Sequence, residues 1–260
     1  MKTRQPETGG SARRRAMAEH ILRQGSASVT ELVESFDVSV MTVHRDLDEL
    51  ERRGMVRKFR GGASAQASSV FESNIAYRMT VNQEAKDVIA RQVVRDIEPG
   101  SSVMLDDSTT ALAVARLLET VTPLTVVTNF LAAMTLLSGT PGIRLMALGG
   151  EYHPTHDSFL GLACIDAIAA MRTDIAVVST SAVSDGQAFH QEQEIVLVKR
   201  AMLACAGRRV LAIDHTKLGR VGLHRVAGLE EFEEVVVDAG APEKELDALR
   251  EHHANVRIAH

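Results

Sequence analysis

The chain has 260 residues, 45% of them apolar and 24% charged, a balance that excludes a disordered or fibrous protein and allows either one large domain or a small domain joined to a medium one. Aromatics make up 3% with no Trp, so the core must be aliphatic, and stacking platforms for single-stranded nucleic acid have little to be built from. Charge is uneven: residues 1–62 hold twelve Lys and Arg against nine Asp and Glu, net +3, and the remainder holds 17 against 25, net −8. A basic head on an acidic body suits a chain that meets a polyanion with its head alone.

Two cysteines, Cys164 and Cys205, lie in apolar helix-like contexts, which reads as buried, inert thiols in a reducing compartment. The N-terminal stretch has no apolar run behind its charges, and no segment approaches the ~18 apolar residues of a membrane span. The expected location is the cytoplasm.

From Ser11 a helical pattern carries Met17, Ile21 and Leu22 on one face and stops at Gly25. Ser28 and Glu31 have the spacing of a capping box, so a short helix with Leu32, Val33 and Phe36 starts there. Asp37-Val38-Ser39 turns the chain, Ser39 caps a second helix, and Val43, Leu47 and Leu50 recur at i, i+4 and i+7 until Gly54. Two helices across a tight turn form a helix-turn-helix. Ser39, Thr42, His44 and Arg45 occupy the end of the second helix that meets base edges, and a strand over Met55–Phe59 ends in Arg60-Gly61-Gly62. Arg57, Lys58 and Arg60 would form a basic wing directed at phosphates.

The run VSVMTVHRDLDELERRGMVRKFRGGA resembles the DeoR-type bacterial transcription regulators, whose pattern is Val-Ser, two variable residues, Thr-Ile-Arg-Arg-Asp-Leu, then Leu, Gly and a wing ending in Gly-Gly. His44 departs from it, standing where that family usually has Arg. The DNA-binding domain is placed at residues 11–62, a small polar linker at 63–76, and a second domain at 77–260.

In the second domain a helix with Val88, Ile89, Val93 and Ile97 on one side is broken at Pro99-Gly100. After it SVMLD, LTVVTN, IRLMALGG, DIAVVST, RVLAID and EVVVD alternate with helical segments, the pattern of a mostly parallel sheet covered on both faces. Ligands of such sheets sit at the C-terminal strand ends. There the sequence places Asp106-Asp107-Ser108-Thr109-Thr110, Thr128-Asn129, Gly149-Gly150, Ser179 to Ser181, and Asp214 to Gly219 with Lys217. Singly, the glycines read as a turn and Thr128-Asn129 as a cap. Together, hydroxyls, backbone N–H groups and one ammonium suit a phosphorylated small molecule.

The DeoR resemblance continues through Arg78, Asn82, Lys86, Ile89-Ala90, LDDSTTA, VVTN, ALGG, the FLG at 159–161 and AIDHTKLGR, and spans residues 11 to 240. It implies a sugar-phosphate sensor domain similar in fold to ribose-5-phosphate isomerase and CoA-transferase domains. It further implies that Asp106, Ser108, Thr109, Thr110, Asp214 and Lys217 line the effector pocket. Of the adjacent acids, Asp106 is expected to face the ligand as an acceptor for sugar hydroxyls, and Asp107 to be a turn or cap residue.

The chain therefore reads as a DNA-binding regulator, a repressor of a carbohydrate operon released by a phosphorylated sugar and working as a homodimer or larger oligomer on paired half-sites. The alternatives are an isomerase-like enzyme fused to a DNA-binding head, and an activator sensing another phosphorylated metabolite. No catalytic residue, cofactor or metal is assigned. His153, His156 and Asp157 have only loosely ligand-like spacing, and His252, His253 and His260 read as part of a solvated tail.

Overall fold

The computed structural model describes residues 9–24, 26–52, 56–65 and 75–260. Gly25, Gly54, Met55 and most of the expected linker lie outside these, as does the side chain of Leu22. The chain divides into two compact units, Met1–Tyr77 and Arg78–His260.

The first unit contains α1 (Gly9–Gln24), β1 (Ser26–Ser28), α2 (Val29–Phe36), α3 (Val40–Arg52), β2 (Val56–Phe59) and β3 (Gly62–Ala65). The capping box forms: Ser28 Oγ accepts from Glu31 N at 3.2 Å, and Glu31 Oε2 accepts from Ser28 N at 2.7 Å. Asp37, in the left-handed region at φ 48°, ends α2 and allows the sharp turn. Ser39 Oγ then accepts from Thr42 N at 3.2 Å and starts α3. Met17, Ile21, Leu32, Val43, Leu47, Leu50 and Val56 close one core.

Residues expected to begin the linker instead complete the wing. Gly62–Ala65 pairs antiparallel with both β1 and β2, giving a three-stranded sheet in the order β1-β3-β2. Gly61 turns at φ 93°, and a Cβ on Gly62 would strike the carbonyl of Ala27, so the Gly-Gly pair is required twice over. A single strand of this length presents unpaired donors on both edges, and a partner strand satisfies one of them.

Helix α4 (Ile75–Arg78) carries the chain across the unit boundary, and in the second unit α5 (Gln83–Val94) leads into β4 (Ser102–Leu105) and α6 (Thr109–Ala115). Next come β5 (Leu124–Thr128), α7 (Leu131–Leu137), β6 (Ile143–Ala147), a hairpin β7 (Glu151–His153) and β8 (Ser158–Leu160), and α8 (Leu162–Ala169). They are followed by β9 (Thr173–Val178), the hairpin β10 (Ala182–Ser184) and β11 (Gln187–His190), and α9 (Gln193–Cys205). The chain closes with β12 (Ala206–Ile213), β13 (His224–Gly228), β14 (Glu234–Asp238), α10 (Glu243–His252) and β15 (Val256–Ala259).

Seven of these strands form one parallel sheet in the order β15-β14-β12-β9-β4-β5-β6. Side-chain alternation sends Met104, Val127 and Ala176 to a core shared with α8 and α9, and Val103 and Leu105 to the other face, where α5 packs on β12, β14 and α6. The near-continuous aliphatic strands are explained by burial on both faces.

Of the histidines expected in a solvated tail, His252 and His260 are exposed, but His253 and the segment after it are built into the fold. Val256–Ala259 pairs with β14 as an edge strand, and buried His253 holds the carbonyl of Phe232 through Nε2 at 2.8 Å. Val256 and Ile258 pack against the core, an apolar alternation that a reading centred on the histidines passes over.

Candidate functional site

In the first unit α3 buries Val43, Asp46, Leu47 and Leu50 and leaves His44 and Arg45 exposed. Asp46 is fully buried and receives Arg13 Nε at 2.7 Å and Arg14 Nη1 at 3.4 Å, so the acid of the Arg-Asp-Leu run clamps α1 to α3. Thr42 Oγ1 lies 3.0 Å from Ser39 Oγ, which makes these two partners in the cap. Within the wing, Arg57 and Arg60 are exposed. Lys58 is not directed outward with them: its ammonium pairs with Asp48 of α3, and its backbone N donates to Glu51 Oε1 at 2.8 Å. Strand alternation is the reason, since neighbours on β2 face opposite ways.

In the second unit parallel pairing brings the predicted residues to one edge, because β12, β9, β4, β5 and β6 are neighbours that all end on the same side. Asp106, Asp107, Ser108, Thr109, Thr110, Thr128, Asn129 and Asp214 are all buried there. The adjacent acids have a different arrangement from the expected one. Asp106 accepts from Ser108 N through Oδ1 at 3.0 Å and from Ser179 N and Lys199 through Oδ2, so it is the acid that braces the turn. Asp107 accepts from Lys199 at 3.2 Å and from Ser158 Oγ at 3.0 Å. A carboxylate removed from water must find internal donors, and a single lysine supplies both. Burial alone would raise the Asp107 pKa, but Lys199, with Arg78, His156 and His190, holds it far below the usual carboxylate range.

Ser108 caps α6, its Oγ accepting from Ala111 N at 3.0 Å. Thr128 Oγ1 accepts from Phe130 N at 3.1 Å. Asn129 donates through Nδ2 to Phe159 O at 3.0 Å, while its Oδ1 is buried without a hydrogen-bond partner among the described residues. A Cβ on Gly149 would meet open space, whereas Gly150, at φ 148°, is pressed on the carbonyl of Leu160 and serves packing.

At the end of β12, Asp214 accepts from Asn82 Nδ2 at 3.0 Å and from Thr216 N at 3.1 Å, and Lys217 closes the following turn. Lys86 lies buried nearby, donating to the carbonyls of Arg78 and Val81 at 2.6 and 2.7 Å. Burial lowers its pKa to about 8; Asp214 opposes this, and Lys217, Arg78 and Arg116 add to it. Asp214 itself stays ionised below the usual range despite its burial, chiefly because of Lys217.

Lys199 and His190 had no place in the sequence reading, and His153 and His156 stood there only as loosely spaced candidate ligands. A lysine among Ile195, Val196, Val198 and Met202 on a buried helix face demands a carboxylate, and the adjacent acids lacked a cation; matching the two absences was the available signal. The three histidines form a row of imidazoles, with His153 and His156 centred 5.4 Å apart and His156 and His190 6.4 Å apart. His156 Nε2 lies 2.7 Å from Glu192 Oε2, and Asp157 instead accepts from Tyr152 at 2.8 Å, which separates it from the histidines. Among the described residues no three His, Cys, Asp or Glu groups are placed to hold a metal. Burial pushes the His190 pKa well below its ordinary value and the Cys164 thiol up to about 11.

A winged helix-turn-helix followed on the same chain by a parallel sheet with polar strand ends defines a DNA-binding transcription regulator with a sensor domain. Residues 13–69 match the DeoR-like helix-turn-helix domain, and residues 81–239 match the DeoR C terminal sensor domain. The chain belongs to the DeoR family of transcriptional regulators. It is 32% identical to the glycerol-3-phosphate regulon repressor of Escherichia coli, over 95% of this chain and 98% of that protein. It is 30% identical to the uncharacterized HTH-type transcriptional regulator YgbI of Escherichia coli, over 95% of this chain and 97% of that protein. Ribose 5-phosphate isomerase a from Methanocaldococcus jannaschii is similar to 52% of this chain and 54% of its own, at 18% identity and a TM-score of 0.38. Among the described residues no helix is long and apolar enough to cross a membrane.

Proposed function

We infer that the protein represses a carbohydrate-metabolism operon, holding a DNA operator through α3 and releasing it when a phosphorylated sugar occupies the strand ends of the sensor unit. The observation that carries the effector reading is buried Lys86 at the strand ends, an ammonium held out of water beside Asp214 and within the field of Lys217. A desolvated ammonium with a second lysine near it favours an anion. In this reading Lys217 meets the phosphate, and Thr109, Thr110, Asn129 Oδ1 and the open side of Gly149 meet the sugar. Asp106 and Ser108 hold the turn, and Asp214 orients Lys217. The repressing sign takes its support from the glycerol-3-phosphate regulon repressor.

Binding without turnover is favoured because both acids of the pair are committed to Lys199, Ser158 and backbone N–H groups, which leaves neither as a proton carrier. The effector must prefer the DNA-incompetent state, since equal affinity for both states shifts nothing. We further infer a cytoplasmic homodimer. Exposed Leu131 and Leu136 on α7 beside Met146 on edge strand β6 suit a subunit contact, which light scattering tests directly.

Thermal-shift screening of sugar phosphates against the full chain and Lys217→Ala tests the effector. A phosphorylated compound should raise the melting point of the parent and lose most of that effect in the variant. If no phosphorylated compound does so, the reading fails; conversion of the compound to an isomer would favour the enzyme instead.

A further inference from the structure

We propose that Met41 is a base-reading residue: its side chain seats the C5-methyl group of a thymine in the major groove and so sets part of the operator sequence. Met41, His44, Arg45 and Asp48 lie at i, i+3, i+4 and i+7 and form one stripe of α3, opposite the stripe that Val43, Leu47 and Leu50 bury. Asp48, the last of the four, is tied to Lys58 of the wing. That leaves Met41, His44 and Arg45 as the reading end.

Met41 is 80% exposed, more than any other large apolar side chain among the described residues, and its neighbour Val40 is 53% exposed. Neither joins the core of its unit, although Val29, Val33, Phe36 and Val38 on the preceding helix and turn all pack against it. Two apolar side chains therefore stand in water at the first turn of a helix whose remaining outer face is polar. Solubility favours polar residues there, and two adjacent exposed apolar side chains suit an apolar counterpart. The first turn of a reading helix meets base edges, and the one apolar feature among the groove edges of the four bases is the thymine methyl. An unbranched thioether with several rotatable bonds conforms to such a group.

The inference rests on α3 being the helix that enters the groove, so the test separates the two. The full chain selects duplexes from a random pool, and each thymine of the selected site is then replaced by deoxyuridine, which pairs identically and lacks only the methyl. At one position per half-site the replacement should weaken binding by about fourfold, the worth of one buried methyl. Met41→Ala, which leaves the core untouched, should bind both duplexes equally, near the weakened level. The proposal is overturned if no deoxyuridine position weakens binding, or if Met41→Ala keeps the full deoxyuridine penalty. Arg45→Ala tells which idea has failed: unchanged affinity for the selected duplex removes the groove assignment itself, whereas weakened affinity with an intact penalty in Met41→Ala removes only the methyl contact.

Discussion

The ammonium of Lys199 lies 3.2 Å from Oδ1 of Asp107, across 92 residues of chain, and the same nitrogen also donates to Asp106. One cation thus neutralises two successive carboxylates where β4 ends, and ties α9 to that end. Lys199→Met should destabilise the sensor unit by about 3–5 kcal/mol, measured by urea unfolding, because two charges stay buried without their partner. The unpaired acids would then hold protons more tightly when folded than when unfolded. The variant should accordingly gain stability as pH falls, and adding Asp106→Asn and Asp107→Asn should restore part of the loss. Parent-like stability of Lys199→Met would show that the bridge is dispensable.

Asp46 holds α1 on α3 through Arg13 and Arg14. Asp46→Ala should cost the DNA-binding unit about 1–3 kcal/mol, the scale of hydrogen bonds to a charged group. The check is whether the variant's operator affinity falls more steeply with temperature than that of the parent, while the melting of the sensor unit stays unchanged.

Arg57 and Arg60 are exposed on the wing, and Lys58 is bound to Asp48. Arg57→Ala should weaken all duplexes alike and reduce the slope of log affinity against log salt by about one. Lys58→Ala should change that slope less, as its charge is already compensated. Equal slope changes from both variants would mean that Lys58 leaves Asp48 when DNA binds.

Lys86 is the group with a defined alkaline signature. Its pKa falls from 10.5 to about 8 on folding, so between those values the unfolded chain holds a proton that the native state has released. Stability contributed by this group therefore rises with pH across that window and is lowest below it. Urea titrations below, within and above the window should show the parent gaining stability relative to Lys86→Met as pH rises. A bound phosphate would draw the proton back, so effector binding above pH 8 should take up protons, read from calorimetry in buffers of different ionisation heat. Identical heats in all buffers would place the anion away from Lys86.

Local patterns in the sequence determined a good deal. The Ser28–Glu31 box, the Ser39 cap and the Val43-Leu47-Leu50 stripe are short-range features that formed where they were expected, as did six aliphatic strands of the sheet. Period and capping act over a few residues, so a single sequence carries them. Tertiary structure decided whatever depended on a distant partner. Gly62–Ala65 became a strand because β1 and β2 lie on either side of it, and Val256–Ala259 because β14 offered an edge. Lys58 faces Asp48, and both acids of the Asp106-Asp107 pair face Lys199. A buried charge goes wherever its counter-charge is, and that position is set by how β4, β9 and α9 pack, not by the residues next to it in the chain.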